Sequence, residues 1–429
     1  MKTREIMHYC LDKLNSKGAE KAACRYIIAR KQELNVHAGK LNLFRTINDI
    51  NLGLTAIFEN RKGTITINKI GVNDLDQAIE NVIEMAESSQ PDKANDIAGF
   101  QEAKQFSKGP TNPDLDLMYT RLDNFVQQVR EKYPRIILEE VILSFNTYES
   151  YFMNSNKVDF QIRKSAYDFS PMFTAKEGLK TSSFNYTDFS TLNLDKEFLE
   201  YGTIDLLLKQ ASEQISTSRI SGKFTGDIIV TPDCLPEFIR GLTSYLGDRA
   251  LISDTSIYKD KLNRKIASEN FTLQAQPRSD LLASGYFLTS DGFEAQNLTI
   301  IDKGILSSFL LSLYGANKTG KDRAQNQGGC YVINPGEEQI ENIIKKVKRG
   351  LLLCRFSGGN PNDKGDFSGV AKNSYYIEDG KIKYPISETM ITGNIADMFI
   401  NIKDISRERI NFGDKIIPWI RFGEISISG

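Results

Sequence analysis

Between Ala23 and Ile70 the chain alternates apolar and polar side chains with few interruptions, ACRYIIARKQELNVHAGKLNLFRTINDINLGLTAIFENRKGTITINKI, and its breaks fall at glycine and asparagine. A period of two suits strands, whose successive side chains point to opposite faces; a helix could not hide one face of such a pattern. Three or four antiparallel strands are expected here. The residues before it, 3–17, place apolar side chains at helical spacing. The residues after it, GVNDLDQAIENVIEMAE, bring Leu75, Ala78, Ile79, Val82, Met85 and Ala86 to one helical face behind an Asn73 cap. Residues 1–90 therefore read as an α+β unit, a sheet with helices laid on it.

From Ser88 to Pro113 the composition turns polar and proline-punctuated, which suits a connector over residues 91–112. A middle α+β region, 113–220, follows. Its first helix carries Met118, Leu122, Phe125, Val126 and Val129, and two long strands come next. A closing helix carries Ile204, Leu207, Leu208, Ala211 and Ile215. This helix–strands–helix order echoes that of residues 3–86, the pattern an internal duplication would leave. From 221 to 429 short strands broken by glycines predict a β-rich, barrel- or sandwich-like domain, so the fold class is α+β. Within it LPEFIRGLTSYLGDRAL reads as a helix and ILSSFLLSLY as a strand. PGEEQIENIIKKVKRG reads as a helix with acids in its first turn, bases in its last and Gly350 as its stop. Its KKVKR run is a solvated helix end.

Charge excludes some functions. Lys plus Arg number 54 and Asp plus Glu 55, so no net field invites nucleic acid or an anionic membrane. No apolar run approaches the roughly 20 residues of a membrane-spanning helix. The charged N-terminal segment is unlike a signal peptide, and a cytoplasmic location is expected. Five cysteines, Cys10, Cys24, Cys234, Cys330 and Cys354, are widely spaced without a C-x-x-C pair, as free buried thiols would be. The only histidines are His8 and His37, in no recognisable nucleophile motif.

Two glycine-rich stretches invite chemical readings. GANKTGKD, Gly315 to Asp322, falls one residue short of the phosphate-binding pattern G-x-x-x-x-G-K-[ST]. Asp322 stands where a hydroxyl must ligate Mg²⁺ and would set a carboxylate against phosphate oxygens, so nucleotide binding is rejected. GGNPNDKGDFSG, Gly358 to Gly369, reads as a loop between two strands, and Asp363 and Asp366 argue against an anion nest. A zinc hydrolase helix would present two histidines one turn apart with a glutamate between them. No histidine follows residue 37.

The residues GDFSG, IEDGKIKYPI and SETMITGNIADMFINI, with IIDKGILSSFLLSLYGANKTGK before them, resemble the TldD/PmbA family, historically called modulators of DNA gyrase. The resemblance is strongest from about Gly226 to Gly429. It implies cytoplasmic proteolysis of small or unfolded polypeptides. TldD-type members ligate zinc through an H-E-x-x-x-H helix and a cysteine near the C-terminus. Here the matching helix, Asp233 to Asp248, has Glu237 flanked by Pro236 and Gly241 at the ligand positions, and the terminal segment has no cysteine. The chain thus resembles the PmbA or TldE branch, which implies no catalytic residue and no metal or other cofactor in this chain, zinc being expected in a TldD-type partner. A homodimer is also compatible. By the same analogy the loop bearing Gly315, Asn317, Thr319 and Gly320 would line a peptide groove. Two alternatives stay open: an independent hydrolase using Cys354 or the carboxylates Asp363 and Asp366, and a gyrase-binding protein, for which the balanced charge gives no support. Trp419, in the strand-like IIPWIRFGEI, is expected in the core.

Overall fold

In the computed structural model, which describes residues 2–429, helix α1 (Thr3–Ser16) leads into three antiparallel strands, β1 (Lys21–His37), β2 (Lys40–Phe58) and β3 (Arg61–Ile67). Ala38 and Gly39 turn the first hairpin with φ of 47° and 71°, the left-handed pair that matches strand twist. Helix α2 (Val72–Ser88) starts behind Gly71 rather than Asn73, and Met85 stays exposed while Leu75, Ala78, Ile79, Val82 and Ala86 are buried.

The connector segment contributes β4 (Lys104–Lys108). After α3 (Leu115–Lys132) come β5 (Ile136–Asn154) and β6 (Asp159–Glu177), then short β7 (Lys180–Thr181), β8 (Asn185–Tyr186) and β9 (Phe189–Thr191), and α4 (Ile204–Glu213). The expected regions 1–90 and 113–220 are joined in one sheet. β1 pairs with β5 from Ala23↔Asn154 to His37↔Glu140, giving a nine-stranded sheet in the order β3-β2-β1-β5-β6-β4. A long strand exposes backbone donors and acceptors on both edges, and a second long hairpin satisfies the free edge. The outer edge of β6 is covered by β4, β9, β8 and β7 in turn.

Even-numbered positions of β1 point to the helices. Ala22, Cys24 and Tyr26 lie under α1 and α2, and Leu34 and Val36 under α3 and α4, so all four helices cover one face. A second cluster on that face is aromatic: Phe169 and Phe198 stack with centroids 3.9 Å apart, and Phe125, Phe189 and Tyr201 surround Phe198.

The second sheet has thirteen strands: β10 (Lys223–Val230), β11 (Leu273–Ala275), β12 (Leu298–Asp302), β13 (Ile305–Leu306), β14 (Tyr331–Ile333), β15 (Arg349–Leu353), β16 (Arg355–Gly358), β17 (Asp366–Lys372), β18 (Tyr375–Glu378), β19 (Lys381–Pro385), β20 (Thr389–Asn394), β21 (Ile402–Asn411) and β22 (Ile416–Ser428). Strand β22 organises it, pairing with β10, β14, β20 and β21. The path from β13 to β19 is open, so the domain is β-rich without being the closed barrel that was one expectation.

Its helices are short: α5 (Leu235–Ser244), α6 (Asp248–Ile252), α7 (Leu313–Thr319), α8 (Ile340–Lys345) and α9 (Ile395–Ile400). The single helix expected from Leu235 is broken between α5 and α6. The helix expected from Pro335 shrinks to α8. Gly350 is no helix stop but a residue of β15, where a Cβ would lie 2.0 Å from the Asp227 carbonyl oxygen of β10. Of the strand expected in ILSSFLLSLY only Ile305–Leu306 forms. No helix among the described residues is long and apolar enough to cross a membrane.

The two sheets meet on the side of the first that carries no helix. Ala23, Phe152, Phe160 and Ile162 there receive Ile97, Ala98 and Leu288. Phe106 of β4 stacks on Phe287 at 5.1 Å, and the Arg278 guanidinium lies 4.9 Å from both rings.

Candidate functional site

Helix α5 is the segment that the sequence resemblance sets against the zinc-binding helix expected of TldD-type chains. Cys234 precedes it, Pro236 sits in its first turn, and Phe238, Ile239 and Leu242 bury its apolar face. Phe238 packs against Phe356 of β16 and Phe367 of β17, the hairpin closed by the loop 359–365. Asn362 organises that loop: its side-chain oxygen accepts from the amides of Lys364 (2.9 Å) and Asp366 (3.0 Å), and its carbonyl accepts from the Tyr245 hydroxyl just past α5. The loop is thereby laid over the helix. A Cβ at Gly241 would meet the Pro361 ring at 3.2 Å and the Ile395 side chain at 3.6 Å.

A zinc ion needs nitrogen, sulfur or oxygen donors converging at about 2.0–2.3 Å. Pro236 and Gly241 offer no side-chain donor, and the space that a ligand at 241 would enter is lined by a proline ring and an isoleucine. Glu237 is in an ion pair with Arg240. Strand β22 brings no cysteine, and among the described residues no group of three or more His, Cys, Asp or Glu side chains is placed to hold a metal ion. The residues present do not fit the group.

The other nucleophile and acid candidates are engaged elsewhere. Cys354 is 1% exposed, and burial pushes its thiol far above the ordinary range, so almost no thiolate forms near neutrality. Asp366 accepts from the Asn394 amide at 2.9 Å and from Asn362, which hold its carboxyl below the usual value as a fixed turn acceptor. Trp419 is partly buried and packs against the small core cluster that contains Ile229, Leu352 and Tyr375.

The segment expected as a loop at Gly315 is helix α7. Ser312 caps it by accepting from the Gly315 amide at 3.2 Å, and Ser312 is itself held by Asp248. Gly315 allows that approach, since a Cβ there would fall 2.0 Å from the Asp248 carboxylate. Asn317 donates to the Ala94 carbonyl at 3.1 Å, Thr319 to the Gly315 carbonyl at 2.8 Å, and Gly320 ends the helix with φ of 69°. Tyr314 and Lys318 reach Asp92 at 2.8 and 3.0 Å. The segment ties the connector to the C-terminal domain. Its N-terminus is also anchored by Asp291, which accepts from the Leu313 amide and from both ends of the Arg323 guanidinium at 2.9 and 3.0 Å.

Burial alone would raise the Asp291 carboxyl, but hydrogen bonds from Arg323 and Thr289 outweigh it and leave the group below its ordinary value. Its stabilising contribution is then complete above the unfolded pKa of about 4 and is lost as pH falls through the lower folded value. Asp291→Asn should cost about 2 kcal/mol at pH 7. Its denaturation midpoint should also fall less steeply than the wild type's between about pH 5 and 3. Parallel slopes in urea titrations would refute the linkage.

Comparison with known proteins places this geometry. Residues 221–429 match the PmbA/TldA metallopeptidase C-terminal domain. Metalloprotease PmbA of Escherichia coli O157:H7 is 24% identical over 88% of this chain and 85% of its own. An uncharacterised protein of Methanocaldococcus jannaschii is 24% identical over 97% of this chain and 98% of its own. The crystal structure of TldE from Thermococcus kodakarensis superposes with a TM-score of 0.85 over 99% of this chain and 100% of the other, at 18% identity, which marks a shared fold. Residues 221–429 thus carry a PmbA/TldD-type metallopeptidase C-terminal domain, and the chain as a whole is similar to PmbA- and TldE-type proteins.

Proposed function

We propose that this chain is a metal-free, PmbA/TldE-type subunit that works beside a TldD-type metallopeptidase on small or unfolded polypeptides. The observation that carries this reading is the filled space at Gly241: the family's ligand position lacks a donor and is roofed by Pro361. A histidine at 241 would have to enter against the Pro361 ring of the loop 359–365 and the Ile395 side chain. A subunit of this kind contributes binding surface and shape, and the reacting groups come from the other chain.

The test is a cleavage assay on an unfolded polypeptide, with zinc quantified by elemental mass spectrometry on protein purified without chelator or histidine tag. The chain alone should carry far less than one zinc and release no fragments. Mixed with a TldD-type chain it should co-elute on size exclusion and raise chelator-sensitive cleavage. Chelator-sensitive cleavage by the chain alone would overturn the proposal, and so would a TldD-type chain whose rate and elution are unchanged by its addition.

A further inference from the structure

Where the first sheet meets the C-terminal domain lies a cavity of about 180 Å³ lined by Arg25, Tyr148, Ser150, Ile162 and Lys164 of the sheet and by the Tyr286–Leu288 segment. We propose that this cavity is an oxyanion-binding site, which takes a carboxylate or phosphate group between the Arg25 guanidinium and the Lys164 ammonium with the Ser150 hydroxyl as a further donor.

The strand registers place these groups. Ser150 of β5 stands between Ile27 and Ile162, Arg25 pairs with Phe152 two positions along one way, and Tyr148 pairs with Lys164 two positions along the other. Two long cationic side chains on β1 and β6 thus flank a serine on the strand between them. The cations lack counter-ions. Arg25 donates to the Thr289 carbonyl at 2.8 Å and Lys164 to the Gly285 carbonyl at 2.9 Å; neither is in an ion pair among the described residues. The nearby carboxylate of Asp291 is committed to Arg323. Lys108 adds positive charge beside Lys164, its register partner on β4, and donates only to the Ser279 carbonyl.

Ser150 is 1% exposed and its hydroxyl has no hydrogen-bond partner. A buried polar group left unpaired costs about 1–3 kcal/mol, and two desolvated cations add to that. Burial accordingly lowers the pKa of Arg25 and of Lys164 below their ordinary values. No carboxylate lines the cavity. A bound oxyanion would answer all three defects together, accepting charge-assisted hydrogen bonds from both cations and a third from Ser150. The site does not depend on whether the chain is metal-free.

The experiment is titration calorimetry on the intact chain with three probes: inorganic phosphate, an N-acetylated tripeptide with a free C-terminal carboxylate, and the same tripeptide as its C-terminal amide. Saturable binding of phosphate or of the free-acid tripeptide is expected, with the amide silent. Phosphate alone would identify a free oxyanion, and the free acid alone a peptide terminus. Lys164→Met and Arg25→Gln should each weaken binding at least about 10-fold, and Ser150→Ala a few-fold. Lys164→Met keeps an apolar chain over Tyr148 and should melt no lower than wild type, so it carries the test if Arg25→Gln does not fold. Silence of both anionic probes, equal binding of the amide, or unchanged affinity in folded Lys164→Met would overturn the proposal.

Discussion

Phe198→Ala should destabilise the N-terminal sheet region by about 3–5 kcal/mol, the range of core aromatic truncations. Phe198 is fully buried and forms the centre of the aromatic cluster: it stacks on Phe169 at 3.9 Å and meets Phe125, Phe189 and Tyr201 within 6.4 Å. It lies in no long element. The segment from Leu194 to Thr203 runs between α3 and α4, and Phe198 is the side chain that fastens it to the sheet, helped by Arg121, which donates to the carbonyls of Leu194 and Asp195. Its removal would leave a cavity walled by rings from three elements, which cannot collapse without moving a helix off the sheet. Hydrogen exchange should show amides of α3 and α4 losing protection while those of β22 keep theirs, because β22 belongs to a separate core. Phe198→Leu should recover part of the loss. A change below about 1 kcal/mol in Phe198→Ala would mean that the cluster is loosely packed and that the segment is held by its polar contacts instead.

Much of this fold could be read along the chain, because side-chain period is a local property. The alternation of residues 23–70 and the helical spacing of Leu75 to Ala86 each describe which face of one element is hidden, and the elements form accordingly. What escaped reading depended on distant parts of the chain. The pairing of β1 with β5 joins residues more than a hundred positions apart, and nothing in either strand names its partner. Arg25 and Lys164 occupy polar positions of alternating strands, which reads as solvent-facing; only docking of the Tyr286–Leu288 segment withdraws them from water. Gly350 after a basic run matches a helix stop, yet the requirement comes from Asp227 on a neighbouring strand. At the candidate site the missing donors at 236 and 241 were legible as residue types, whereas Pro361 filling the space was not. Helix α7 did carry a local signal: Ser312 three residues ahead of Gly315 is a cap that sequence alone could have placed.

Gly413→Ala should cost more than its change of one methyl suggests, about 3 kcal/mol or more, by forcing the two sheets apart. Gly413 sits in the turn between β21 and β22 with φ of 85°, and a Cβ there would lie 1.8 Å from the Ser190 carbonyl oxygen of β9. The turn is the point where the C-terminal domain plugs into the first sheet. Ser190 donates its amide to the Phe412 carbonyl at 2.8 Å, Ser284 donates to the Gly413 carbonyl at 2.8 Å, and the Asn411 side chain accepts from the Gly413 amide at 2.8 Å. Two costs therefore combine: the left-handed backbone, about 1 kcal/mol for a residue with a Cβ, and a main-chain clash that no side-chain rotation relieves. Gly18→Ala separates them. Gly18 has φ of 95° but nothing within 4 Å of its would-be Cβ, so that variant carries the conformational cost alone. The difference between the two variants in denaturation midpoint measures the clash, and protease cleavage in residues 91–112 should quicken in Gly413→Ala only. Equal losses in both would mean that the β21–β22 turn can back away from Ser190 at little cost, and that the two sheets are held together by their other contacts.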